Sequence, residues 1–150
     1  MNQINSSAMK QSNHHFSFTI SINNSIEKIW EELTNVKNWY KWDTEILNAK
    51  LEGDFIVGAK GTMQPKKGPK LKFYISDIIP NKSYTFNTIM PIGELVIIRS
   101  LVKENNEIQF TDDIKFTGFL KYIFGLMLGG QFRKVLPEVM LKFKNLAESK

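Results

Sequence analysis

Apolar and polar residues alternate from position 16 onward: Phe16, Phe18, Ile20 and Ile22 are separated by Ser17, Thr19 and Ser21. Successive strand side chains point to opposite faces, so this run predicts a strand with one buried face. Asn24 and Ser25 are helix N-cap residues, and Glu27 suits the positive end of a helix. Ile26, Ile29, Trp30 and Leu33 then recur at i, i+3, i+4 and i+7, which predicts a short amphipathic helix ending near Asn35. Val36 to Trp42 reads as a second short helix or an aromatic-rich turn.

A long β region follows, with strands expected at 46–53, 60–64, 70–79, 83–89, 94–103 and 107–117. Turn residues separate them: Glu52-Gly53-Asp54, Lys66-Lys67-Gly68-Pro69, Pro80-Asn81-Lys82, Pro91-Ile92-Gly93 and Asn105-Asn106. The period then changes. Leu120, Phe124, Leu128, Phe132, Val135, Val139, Phe143 and Leu146 step by three or four, predicting a long C-terminal helix within 118–148. Its first half, Phe119 to Phe132, is apolar nearly all round, and Gly129-Gly130 and Pro137 predict a kink or loosened turn. The order β-α-α-β-β-β-β-β-β-α is α+β: a seven-stranded curved antiparallel sheet wrapped around the long C-terminal helix buries every apolar stripe.

The chain has 150 residues, 42% hydrophobic and 23% charged, which suits one domain with its own core. Residues 1–15, polar and rich in Asn, Ser and Gln, read as a flexible N-terminal arm, leaving 16–150 as a single ligand-binding domain. No apolar run reaches the roughly 18 residues of a spanning helix, and the N-terminus lacks the apolar core of a signal peptide. A soluble, cytoplasmic protein is expected. With no cysteine, disulfides, thiolate metal sites and a Cys nucleophile are excluded. The adjacent His14 and His15 read as a solvent-exposed, non-ligating pair, so no metal and no cofactor are expected.

Several motifs carry a resemblance. They are Ile26-Glu27-Lys28-Ile29-Trp30, the Trp39/Trp42 stretch, and Gly53-Asp54-Phe55-Ile56-Val57-Gly58-Ala59-Lys60-Gly61-Thr62-Met63. Gly68-Pro69-Lys70-Leu71-Lys72-Phe73, Ile79-Pro80-Asn81-Lys82-Ser83-Tyr84, Phe116-Thr117-Gly118-Phe119-Leu120 and Leu136-Pro137-Glu138 follow in order. As a set they resemble the polyketide cyclase/dehydrase-like family of the SRPBCC (START/Bet v 1-like) superfamily, over about Phe16 to Glu148. The resemblance implies a helix-grip fold. It also implies either a carrier or binder of hydrophobic molecules or an enzyme of cyclase type. The motifs themselves are mostly structural: Gly58 and Gly61 suit turn or bulge geometry.

A helix laid across a bent sheet leaves a cavity between the two. The inward strand positions expected to line it are Phe73, Ile75, Tyr84, Phe86, Leu95, Ile97, Phe110, Ile114 and Phe116. The helix adds Phe124, Met127, Leu128 and Phe132; any one of these residues could equally be core. Trp39 and Trp42 are candidate gate residues, with packing of the short helices against the sheet as the other reading. If Asn105-Asn106 form a two-residue turn, Arg99 lies directly opposite Asp112 on the apolar face, where it could orient a ligand's polar head. A one-residue bulge, or the opposite parity that Val96, Ile98 and Val102 make nearly as apolar, puts both in solvent. Lys60, Lys66, Lys67, Lys70 and Lys72 surround one hairpin and read as a solvated face, with peripheral membrane contact as the alternative and no nucleic-acid motif beside them.

No catalytic set emerges from Asp77, Glu94, Asp112, Tyr84 and Arg99, which are scattered and without a motif. The first functional expectation is therefore a non-catalytic binder of a small hydrophobic molecule, whether lipid, polyketide-like or isoprenoid-like. It predicts an apolar cavity with at most one satisfied polar group. A cyclase or dehydratase-type enzyme predicts two or more convergent polar side chains there. A protein- or membrane-docking module predicts a filled interior and an exposed apolar patch.

Overall fold

The computed structural model describes residues 14–119 and 129–149, with side chains from 134 onward in the second stretch. Seven antiparallel strands form one sheet: β1 (His15–Ile22), β2 (Ile46–Leu51), β3 (Lys60–Pro65), β4 (Leu71–Ile79), β5 (Ser83–Met90), β6 (Gly93–Glu104) and β7 (Glu107–Phe116). Their spatial order is β1-β7-β6-β5-β4-β3-β2, so every strand neighbours the next in sequence except β1, which pairs with β7. Helix α1 (Ile26–Thr34) and a 3-10 helix (Val36–Lys41) link β1 to β2, and α2 (Gly129–Glu148) packs against the sheet.

Local chemistry accounts for these boundaries. Ser25 caps α1, accepting a hydrogen bond from the Lys28 N–H. Asn105 and Asn106 both take positive φ (51° and 68°), the conformation of a two-residue hairpin turn that Asn tolerates better than other side chains. That turn sets the β6–β7 register: Leu101 faces Phe110, Arg99 faces Asp112 and Ile97 faces Ile114. In β4 the pairing shifts between Ile75 and Asp77, so the buried parity of Phe73 and Ile75 passes to Ile78. Gly61 needs its missing side chain, because a Cβ there would collide with the Phe73 ring and the Lys50 carbonyl. Gly58, at φ +91°, serves the turn before β3.

The core fills the concave side of the sheet. Phe16, Phe73, Phe86, Phe110 and Phe116 are fully buried with Met140 and Phe143 of α2. The end of α2 is tied to the β1–α1 connection. Lys144 Nζ donates to the Ser21 carbonyl at 2.5 Å and pairs with Glu148 at 3.2 Å, and Asn24 Nδ2 donates to the Ala147 carbonyl at 2.8 Å.

One expectation is corrected. The expected arm ended at His15, but β1 begins there: its pairing with Lys115 extends the ladder, and its Nε2 lies 3.0 Å from Asp113 Oδ1. Pro137 lies inside α2, where its missing N–H removes one backbone hydrogen bond. Lys60 opens β3 and lies diagonally across the ladder from Lys72 on one exposed face, while Lys66 and Lys67 follow that strand's other end. The N-terminal residues 1–13 and the expected first half of the long helix, 120–128, lie outside the described residues.

Candidate functional site

Three inward rows cross the sheet. One runs Phe18–Asp112–Arg99–Tyr84–Ile78, the next Phe16–Ile114–Ile97–Phe86–Ile75, and the third Phe116–Leu95–Thr88–Phe73–Gly61. The first contains a charge pair and the third a hydroxyl, so an apolar row separates two polar ones. Strand rise puts Thr88 about 13 Å along β5 from Tyr84.

A cavity of about 110 Å³ lies between these rows and α2. The sheet contributes Phe86, Thr88, Leu95, Ile97, Arg99, Asp112 and Ile114, and α2 contributes Val135, Leu136 and Val139. Ile46, Met63, Pro65 and Leu71 come from β2, β3 and β4, and Asp43 and Glu45 come from the chain between the 3-10 helix and β2. Of the positions read from sequence, Phe86, Leu95, Ile97, Arg99, Asp112 and Ile114 are in the wall. Phe73, Ile75, Tyr84, Phe110 and Phe116 face inward but are not part of this wall; they are buried core. Phe124, Met127 and Leu128 lie outside the described residues, as does the side chain of Phe132.

Arg99 organises the polar end. Its side chain is only 2% exposed. Nη1 donates to the Tyr84 hydroxyl at 3.1 Å, and that hydroxyl donates to the Leu33 carbonyl at 2.7 Å. The guanidinium carbon lies 4.8 Å from the Trp39 ring centre, 4.7 Å from Trp42 and 4.9 Å from Phe86, so π faces replace part of its lost hydration. Two carboxylates flank it: Asp112 Oδ1 stands 3.6 Å from Nε, and Asp43 Oδ2 stands 4.0 Å from Nη2.

Trp39 and Trp42 are therefore not gates. Both are fully buried, because the 3-10 helix turns them onto the sheet. There Trp39 Nε1 donates to the Leu33 carbonyl at 2.8 Å and Trp42 packs edge-on against Phe143.

Burial and charge act against each other in this cluster. Burial pushes the Asp112 carboxyl up to about 6, with Arg99 pulling the other way and Asp43 adding to the rise. Burial also raises Asp43, again opposed by Arg99 and by a hydrogen bond from the Glu45 N–H. The Tyr84 phenol is pushed up to about 12 by burial, partly offset by Arg99. Burial disfavours the charge on Arg99, but Tyr84, Asp112 and Asp43 outweigh it, and the guanidinium is held protonated.

Hydrogen bonding in the cluster is incomplete. Asp112 Oδ1, Arg99 Nε and Thr88 Oγ1 are buried with no hydrogen-bond partner among the described residues. Buried polar atoms are normally paired, so three orphans in one cavity wall mark a place where a bound group could supply partners. Sequence reasoning missed Asp43, Glu45 and Thr88. Thr88 shares its parity with Tyr84 and Phe86 and was legible on that ground; Asp43 carries no periodic signal.

No family model and no curated protein matches this sequence. Solved structures do match. A START superfamily protein from Mycobacterium smegmatis superposes with a TM-score of 0.73 at 13% identity, covering 91% of this chain and 98% of that one. Ara h 8.0201 gives 0.71 at 10% identity, covering 91% and 99%.

The chain has the START/Bet v 1-like helix-grip fold.

The di-domain ARO/CYC StfQ from the steffimycin biosynthetic pathway shares it with a TM-score of 0.70 at 10% identity, over 91% of this chain and 51% of that one. The motif resemblance and the three-dimensional likeness agree on this helix-grip architecture. The cavity described above lies where a helix-grip fold leaves room, between the curved sheet and the C-terminal helix. No described helix is long and apolar enough to cross a membrane.

Proposed function

We propose that this protein binds a small, mainly apolar molecule between the sheet and α2, with a polar group of that molecule at the Arg99–Asp112 end. The carrying observation is the cavity wall: Leu95, Ile97, Ile114, Leu136 and Val139 on one stretch, and a charged cluster with unmet hydrogen bonds at its end. Pockets for small molecules combine these features, an apolar lining with a few polar groups that fix orientation. The molecule belongs to the broad class of small hydrophobic compounds, and its handling in the cytoplasm fits the chain's lack of disulfides. Native mass spectrometry of freshly purified protein should detect a retained apolar compound. Val139→Phe, which fills the cavity from α2, should abolish retention. Absence of any retained compound, together with failure of small apolar probes to shift the NMR signals of Ile97 and Ile114, overturns the reading.

Asp112 favours a second reading, acid–base chemistry of cyclase or dehydratase type on the same bound molecule. Arg99, Asp112 and Asp43 converge at one end of the cavity, more polar groups than a plain carrier needs. A carboxyl raised to about 6 can both give and take a proton near neutrality. The ARO/CYC name of StfQ is in keeping with such chemistry on this fold. Under this reading Asp112→Asn keeps the retained compound but stops its conversion on incubation; equal conversion by both proteins removes Asp112 from any reaction.

A further inference from the structure

The geometry points to an uncharged hydroxyl on a compact apolar body as the group this cavity selects, and to exclusion of carboxylates. This deepens the proposed function and rests on it.

Among the described residues, the charge pair at the polar end leaves one donor and one acceptor unmet, Arg99 Nε and Asp112 Oδ1, which a hydroxyl can serve together, and negative groups outnumber positive ones there. The one guanidinium has Nη1 committed to Tyr84 and its faces covered by Trp39, Trp42 and Phe86. Its Nε lies 3.6 Å from Asp112 Oδ1 and its Nη2 lies 4.0 Å from Asp43 Oδ2. Against this single positive charge stand two carboxylates, and Glu45 adds a third to the wall. An entering carboxylate therefore meets excess negative charge where solvent screening is weak, which is unfavourable.

A hydroxyl meets the opposite situation. Asp112 Oδ1 is buried and lacks a donor among the described residues. A ligand O–H placed there makes a charge-assisted hydrogen bond that the protein leaves unmade. The cavity of about 110 Å³ also limits size. An engineered apolar cavity of ~150 Å³ holds benzene, so the apolar body this one takes is at most a single small ring or a short chain, with its substituent at the polar end. The row Phe86–Ile97–Ile114 packs against that body.

The test uses the full chain at pH 7.5 and two pairs of near-isosteric probes, read as dissociation constants by NMR titration. Phenol should bind at least ten-fold tighter than toluene, although toluene is the more hydrophobic. Nitrobenzene should bind, and benzoate, its charged counterpart, at least ten-fold more weakly. Asp112→Asn should shrink both gaps. Should that variant not fold, Asp43→Asn, at a partly exposed position, should still narrow the nitrobenzene–benzoate gap. Toluene binding as tightly as phenol, or benzoate as tightly as nitrobenzene, overturns this inference and leaves the cavity reading standing. If none of the four probes binds, the cavity reading itself falls.

Discussion

Arg99 Nε and Asp112 Oδ1 face each other across the β6–β7 ladder at 3.6 Å, both side chains at most 3% exposed. That distance is beyond hydrogen-bonding range, so the pair is held by charge and by its neighbours. Removing one partner from a buried pair leaves an uncompensated charge and typically costs about 3–5 kcal/mol. Asp112→Ala should fall below that range in urea denaturation at neutral pH, since Asp43 still faces the guanidinium and burial already works against the Asp112 charge. The double variant Arg99→Met/Asp112→Leu should lose much less. Equal losses for the two variants would show that the pair does not act as a unit.

Acidification should stabilise this protein through Asp112. Its carboxyl is raised from 3.8 to about 6 in the fold, so the folded state holds the proton more tightly than the unfolded chain. The resulting contribution is fully present below 3.8 and is lost as pH rises through about 6. Going from pH 7.5 to 5 should gain about 1 kcal/mol from this group. Asp112→Asn should flatten that part of the stability profile, and a wild-type slope retained in the variant would assign it to other groups.

Tyr84 links the charged cluster to α1 through its hydroxyl, which accepts from Arg99 and donates to Leu33. Tyr84→Phe keeps the ring against Phe86 but strands Arg99 Nη1, while the Leu33 carbonyl keeps its bond from Trp39 Nε1. A loss of about 1–3 kcal/mol is expected for leaving buried polar groups unpaired. In wild-type protein the phenol, pushed up to about 12, should titrate by ultraviolet absorbance well above the ordinary tyrosine value of 10.

Gly61→Ala should destabilise by about 1–3 kcal/mol through overpacking, because the added methyl meets the Phe73 ring and the Lys50 carbonyl. The Phe73 ring must move, and Phe73 packs on Trp39, which covers Arg99. The variant should therefore also perturb the NMR signals of Trp39. Thermal denaturation indistinguishable from wild type would contradict this placement.

Alternation and turn chemistry made most of the fold legible. The strand runs from Phe16 to Phe116 show period 2, and Asn105-Asn106 read as a two-residue turn align Arg99 with Asp112, while parity alone leaves open which face the pair is on. The same reasoning went less far at the site. Parity identifies which face a residue is on, but it does not tell whether space remains beside it. Phe110 and Ile114 share a face, yet Phe110 packs on Phe143 and only Ile114 borders the cavity. Trp39 and Trp42 read equally well as surface aromatics or as core, and only the 3-10 turn decides it. Asp43 sits in irregular chain after that turn, where no period exists to read.

The placement of β1 beside β7 has a consequence for how the chain assembles. During synthesis β2 to β6 can pair with neighbours that emerge next, but Phe18 has no partner until Asp112 has been made. The last turn of α2 then has to reach Asn24. Contacts this distant in sequence slow folding, because loop closure must precede any reward. Until then the apolar face of Phe16, Phe18 and Ile20 stays uncovered, and the nascent chain offers it to chaperones or to other chains.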